Sequence, residues 1–149
     1  MEHIIEIFTN KILQTAILSW FAAQVIKVIL TLLKDRTLDF TRLFGSGGMP
    51  SSHAAFTVSL ATAVGFTSSF ASVDFALAAA FAIVVMYDAT GVRRSAGEQA
   101  SILNKIVEKL GKEHISETGK KLKELLGHTP IQVFAGAVLG LFIAIISYI

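Results

Sequence analysis

The chain has 149 residues, of which 53% are hydrophobic and 16% charged, and its formal net charge is +2. A soluble domain is ordinarily ~25% charged, so the deficit points to long apolar runs, and the small net charge gives no reason to expect a nucleic-acid partner. Cysteine is absent, which excludes disulfides, thiolate metal sites and a cysteine nucleophile.

Glu2 and Glu6 stand where a secretory signal peptide would be basic, so the first apolar segment is expected to remain in the mature protein. A membrane span needs ~20 mostly apolar residues. Residues 12–33 form the first such run, with Lys27 as its one charge. A loop carrying Lys34, Arg36 and Arg42 follows, and it ends in Gly47-Gly48-Met49-Pro50-Ser51-Ser52-His53. Glycines let backbone approach a ligand closely, Ser51 and Ser52 supply hydroxyls and a helix N-cap, and the free N–H groups of a helix start suit a phosphate. A plain loop with a cap is the simpler alternative. His53 stands where it could give a proton to a leaving oxygen.

Residues 53–70 form a second run without Asp, Glu, Lys or Arg, and residues 75–92 a third whose one charge is Asp88. Arg93 and Arg94 close it. The segment 95–127 changes character. Ile102, Leu103, Ile106, Val107 and Leu110 recur at helical spacing, and Leu122, Leu125 and Leu126 mark a second piece, with Gly111 and Gly127 as punctuation. A helical hairpin is expected, either covering the loop side of the bundle or touching acidic headgroups through its lysines. His128 precedes the last run, residues 130–149, which has no charge.

The runs are apolar all round, without the polar faces of a soluble bundle. The expected fold is therefore an all-α integral membrane protein: one domain over 1–149, four spans, and the hairpin inserted between the third and fourth. Gly136 and Gly140 form G-x-x-x-G, which permits close helix contact, and a homodimer is expected because four helices make a small barrier. Eleven Lys/Arg lie in the two loops on one side of the membrane and only Lys11 on the other. The positive-inside rule makes the loops cytoplasmic and puts both termini outside.

Alternating helix direction brings Lys27, His53, Asp88, Arg93, Arg94 and His128 to that same face. Each has an ordinary explanation alone: a snorkelling lysine, a capping histidine, stop-transfer arginines. Together, from four helices, they mark a functional site, since ionisable groups in or beside a span are costly.

Pro50-Ser51-Ser52-His53 resembles the P-S-G-H motif of the type-2 phosphatidic acid phosphatase superfamily, which also includes vanadium haloperoxidases. Lys27 matches the start of its K-x6-R-P motif, with Lys34 in the arginine position, no proline after it, and Arg36 as a second candidate. The third motif, S-R-x5-H-x3-D, is split. From Arg93 the histidine position falls on Gln99, whereas His128-Thr129-Pro130-Ile131-Gln132 is similar to its second half. GGMPSSH, MYDATGVRR and LLGHTP resemble a divergent subgroup of small membrane proteins, of bacterial and plant type, in this superfamily.

The resemblance implies phosphoryl transfer without a metal or other cofactor. His128 would be the nucleophile and His53 the acid, with Gln132, in place of the usual aspartate, orienting His128, or Asp88 substituting for it. Lys27, Lys34 or Arg36, Gly48, Ser51, Ser52, and Arg93 or Arg94 would hold the phosphate. The implied substrate is a membrane lipid phosphate or a prenyl (di)phosphate, in a bacterial plasma membrane. The alternatives are a catalytically diverged lipid-phosphate binder and a transport protein.

Overall fold

The computed structural model describes residues 2–36, 48–110 and 127–149. Six helices run in chain order: α1 Glu2–Thr9, α2 Lys11–Asp35, α3 Ser52–Ser68, α4 Val73–Thr90, α5 Val92–Leu110 and α6 Pro130–Tyr148. No strand occurs among the described residues.

Side-chain caps set the helix starts. Asn10, Ser51, Ser72 and Thr129 each accept a hydrogen bond from the backbone N–H three residues on, opening α2, α3, α4 and α6. At the other end of α2, Arg36 adopts the left-handed conformation (φ 53°) and donates its N–H to Leu32 O at 3.0 Å.

Helix α3 is the centre of the bundle. α2, α4 and α6 all pack on it, and α6 also bridges to α2 and α4. Its buried residues are small: Ser52, Ala54, Ala55, Thr57, Ser59, Ala61, Thr62, Ala63 and Gly65. Bulky residues point outward instead, among them Ile17, Phe21, Leu77, Phe81, Phe134 and Phe142. This distribution reverses that of a water-soluble core. Helix association in lipid gains nothing from hiding leucine, so small residues that allow close backbone approach take the interior.

The tightest approach is α6 on α3. A Cβ built on Gly136 would strike the carbonyl oxygen of Ser51, and one on Gly140 the carbonyl oxygen of Ala55. The G-x-x-x-G pattern is thus used within one protomer and gives no support to a dimer.

Three helical stretches are long and apolar enough to cross a membrane: Lys11–Leu33, Val73–Lys109 and Pro130–Tyr148. The expected second span is a helix too, but at 17 residues it is shorter than the others, and its inner face is Ser, Thr, Ala and Gly. α5 supplies the first arm of the expected insertion and begins at Val92, directly after α4. The second arm, with Leu122, Leu125 and Leu126, lies outside the described residues. α1 is an addition to the expected elements. It carries Ile4, Ile5, Ile7 and Phe8 exposed.

Alanine at Gly136 or Gly140 should force α6 off α3 and cost about 1–3 kcal/mol, as overpacking does elsewhere. Thermal unfolding of the detergent-solubilised protein checks this. Val138→Leu, on the exposed side of the same helix, should leave the midpoint unchanged.

Candidate functional site

The site forms where the first turns of α3 and α6 meet the middle of α2. In the Pro50-Ser51-Ser52-His53 string each residue does something different. The Met49–Pro50 peptide is cis, and Gly48 has φ 93°. Gly48 lies over the aliphatic stem of Lys27, which a Cβ there would meet at 3.8 Å. Ser51 is fully buried and acts as the N-cap, its Oγ accepting from Ala54 N. The Ser51 N–H donates to Gln132 O at 2.9 Å and so ties the start of α3 to the first turn of α6. Ser52 Oγ accepts from Lys27 Nζ at 3.1 Å. His53 is half-buried, and its ring centroid lies 6.5 Å from that of His128, edge to face.

Lys27 is only 2% exposed. A buried ammonium needs hydrogen-bond acceptors. It finds two: Gln24 Oε1 on its own helix at 2.9 Å and Ser52 Oγ on α3. Gln24 was not anticipated. Its signal in the sequence was a buried-type amide one helical turn before the lysine in an otherwise apolar run. Serine at the glycine position of P-S-G-H also acquires a reason here, since glycine would offer Lys27 no hydroxyl.

His128 is buried, at 3% exposure. It precedes the first turn of α6 and yet lies inside the packing. Its N–H donates to Ala89 O of α4 at 3.1 Å. Gly127 fits against the backbone of Arg94, where any side chain would collide, so the chain re-enters the bundle pressed on the first turn of α5.

The ring orientation follows from a capping box. Thr129 Oγ1 accepts from Gln132 N, and Gln132 Oε1 accepts from Thr129 N at 3.1 Å. His128 Nδ1 lies 3.2 Å from the same Gln132 Oε1. A backbone N–H can only donate, so the Gln132 atom facing it is the carbonyl oxygen and not the amide nitrogen. An oxygen can only accept, so Nδ1 carries the proton. A neutral His128 therefore keeps its lone pair on Nε2, the state required of a ring nucleophile. Gln132 Oε1 is thus the acceptor that faces His128 Nδ1.

Asp88 is part-buried on α4, one residue before Ala89. Arg94 Nε bonds Glu98 Oε1 at 3.1 Å along α5, both side chains at least half exposed. Arg36 is exposed at the end of α2, nine residues past Lys27, which is about 13 Å at 1.5 Å per residue. The side chains of Lys34 and Arg93 lie outside the described residues. No group of three or more His, Cys, Asp or Glu able to hold a metal occurs among the described residues.

The divergent PAP2 family matches residues 8–143. This chain belongs to that family. It is 42% identical over 151 residues to a Bacillus subtilis (strain 168) protein described as the uncharacterized membrane protein YuiD, with 95% of this chain and 96% of that protein covered. No solved structure matches the chain.

The tautomer assignment is open to direct measurement. In protein labelled with 15N-histidine, His128 should show the Nδ1–H form, assigned by its loss in His128→Asn among the four histidines of the chain. Gln132→Leu should release the ring to a tautomer mixture. An Nε2–H form in the unsubstituted protein would contradict the capping-box argument.

Proposed function

We propose that the protein is a membrane phosphatase that hydrolyses a lipid phosphate or prenyl (di)phosphate through a phosphohistidine on His128. The observation that carries the reading is the hold on His128: a buried imidazole whose Nδ1 meets Gln132 Oε1, beside a second histidine and a buried lysine. Family membership supports the reaction class.

The chemistry runs in two displacements. His128 Nε2 attacks phosphorus as the bond to the leaving oxygen breaks, and His53 gives that oxygen its proton. Water then attacks the phosphohistidine and returns a proton to His53. Inorganic phosphate leaves and His128 regains its lone pair. Lys27 opposes the charge that accumulates on the phosphoryl oxygens, in a dry setting where such help is strongest. Ser52 and the backbone at Gly48 complete the cradle, and Ser51 keeps α3 and α6 in register beneath it. In this reading α3 is the fourth span, the site faces the cytoplasm, and both ends of the chain lie outside.

A lipid-phosphate binder without turnover is the second reading, and the neutral Gln132 amide favours it. An uncharged partner stabilises an imidazolium less than a carboxylate does.

Phosphate release from a panel of lipid phosphates by the purified protein separates the two. His128→Asn should abolish release while keeping a donor toward Gln132, which protects the buried site from a void. His53→Ala should reduce it by about 10²–10⁴-fold, the usual worth of general acid help, and most for poor leaving groups. Gln132→Glu, which retains the capping-box reach, should match or exceed the parent rate. Lys27→Met should weaken vanadate binding while the fold persists, since an apolar replacement of a buried charge is often neutral or stabilising. Vanadate binding without release from any substrate would establish the binder instead.

Orientation has its own check. The chain lacks native cysteine, so Gln99→Cys on the exposed side of α5 should resist an impermeant thiol reagent in intact cells and react once the membrane is opened. Labelling in intact cells would invert the topology.

A further inference from the structure

An apolar groove of about 420 Å³ runs along the outside of the bundle, lined by Ile17 and Trp20 of α2, His53, Phe56 and Thr57 of α3, and Phe81 and Val85 of α4. Its origin is topological. α2 and α4 both pack on α3, but among the described residues they make no close approach to each other. The face of α3 between them forms a floor, and the two helices form walls. Both walls belong to stretches apolar enough to cross a membrane, so the groove opens sideways toward hydrocarbon. One end is polar. His53 belongs both to the groove and to the histidine pair, with its ring 6.5 Å from that of His128.

We infer that this groove seats one hydrocarbon chain of the ligand, so that the site takes single-chain phosphates, a phosphomonoester or diphosphate on one prenyl or alkyl chain, in preference to two-chain phosphatidates. The inference rests on the reading above for where the phosphate sits, and it does not require turnover.

Three features support it. The polarity runs in one direction: Lys27 and Ser52 lie at the phosphate end, and the walls beyond His53 are aliphatic and aromatic. The axial reach fits a chain entering from headgroup level. Trp20 lies seven residues from Lys27 and Ile17 ten, about 10 and 15 Å along α2. The volume fits one chain. Taking the ~30 Å³ share of a liquid water as the size of a methylene-like group, the groove holds about fourteen such groups. A second chain of similar length would have to lie outside, against Phe81 and Ile17, which are already half exposed. The position of His53 between groove and His128 also matches the proposed chemistry, because in a phosphomonoester the leaving oxygen carries the chain and in a diphosphate the leaving bridging oxygen lies one phosphate away from it.

Trp20 is the only tryptophan in the sequence, so the groove contains its own reporter. The full chain is reconstituted in phosphatidylcholine nanodiscs and titrated with a brominated hexadecyl phosphate. Trp20 fluorescence should be quenched saturably at low mole fraction. Unlabelled hexadecyl phosphate or farnesyl phosphate should reverse the quenching. Hexadecanol, and dioleoyl phosphatidate at equal mole fraction, should not. Val85→Phe, which fills the groove, should raise the half-saturating mole fraction at least tenfold, and Phe81→Ala, which widens it, should let phosphatidate compete.

Equal competition by phosphatidate in the parent protein would overturn single-chain selection. Quenching that rises only in proportion to bulk bromolipid would show that the groove holds solvent lipid alone. A Trp20 that no lipid quencher reaches would mean that protein, such as a second copy of this chain, covers the groove. Saturable quenching with no phosphate release from any substrate would retire the phosphatase reading and leave the groove assignment standing.

Discussion

The contact between α6 and α3 is the constraint from which the rest of the structure follows. Gly136 and Gly140 rest on the carbonyl oxygens of Ser51 and Ala55, at a separation no side chain would allow. That closeness lets Ser51 N reach Gln132 O and sets the first turns of both helices side by side. The two histidines are consequences of it. His53 begins α3 and His128 precedes α6, so drawing the helices together draws the rings together. A looser contact would leave each histidine as an ordinary helix-start residue.

The bilayer explains why the interior is small and polar. Where the surroundings are hydrocarbon, burying leucine yields little, and close packing with satisfied hydrogen bonds holds helices together instead. Thr15, Thr57 and Thr62 bond the carbonyls of their own helices, so each hydroxyl is buried without needing a partner across the interface. Lys27 is different. Its charge is held by Gln24 on its own helix and by Ser52 on α3, so it couples the two elements at the level of the histidines. A cation kept at this depth is costly in any membrane protein.

The capping box has two functions at once. Thr129 and Gln132 satisfy orphan N–H groups at the start of α6, as such pairs do in many helices. Here the glutamine oxygen also faces His128 Nδ1. One side chain therefore terminates a helix and selects a tautomer. A carboxylate in its place would add charge stabilisation. An amide supplies orientation alone.

The sequence by itself determined the all-helical membrane character, the approximate helix bounds and the polar residues of the site. Apolar runs, caps and glycines are local signals, and spacing such as Lys27 before Pro50 survives in one dimension. What only the tertiary structure decided is which of several equivalent residues meet. Gln132 Oε1 faces His128 Nδ1 because a capping box aims it there. Arg94 turns to Glu98 and Arg36 ends on an exposed helix terminus, although as charges near one face they had looked like partners for phosphate. The open side between α2 and α4 had no linear signature. Direction around a helix axis and the distance between helices are set by how α3 packs against three neighbours, and the order of residues along one chain does not encode them separately.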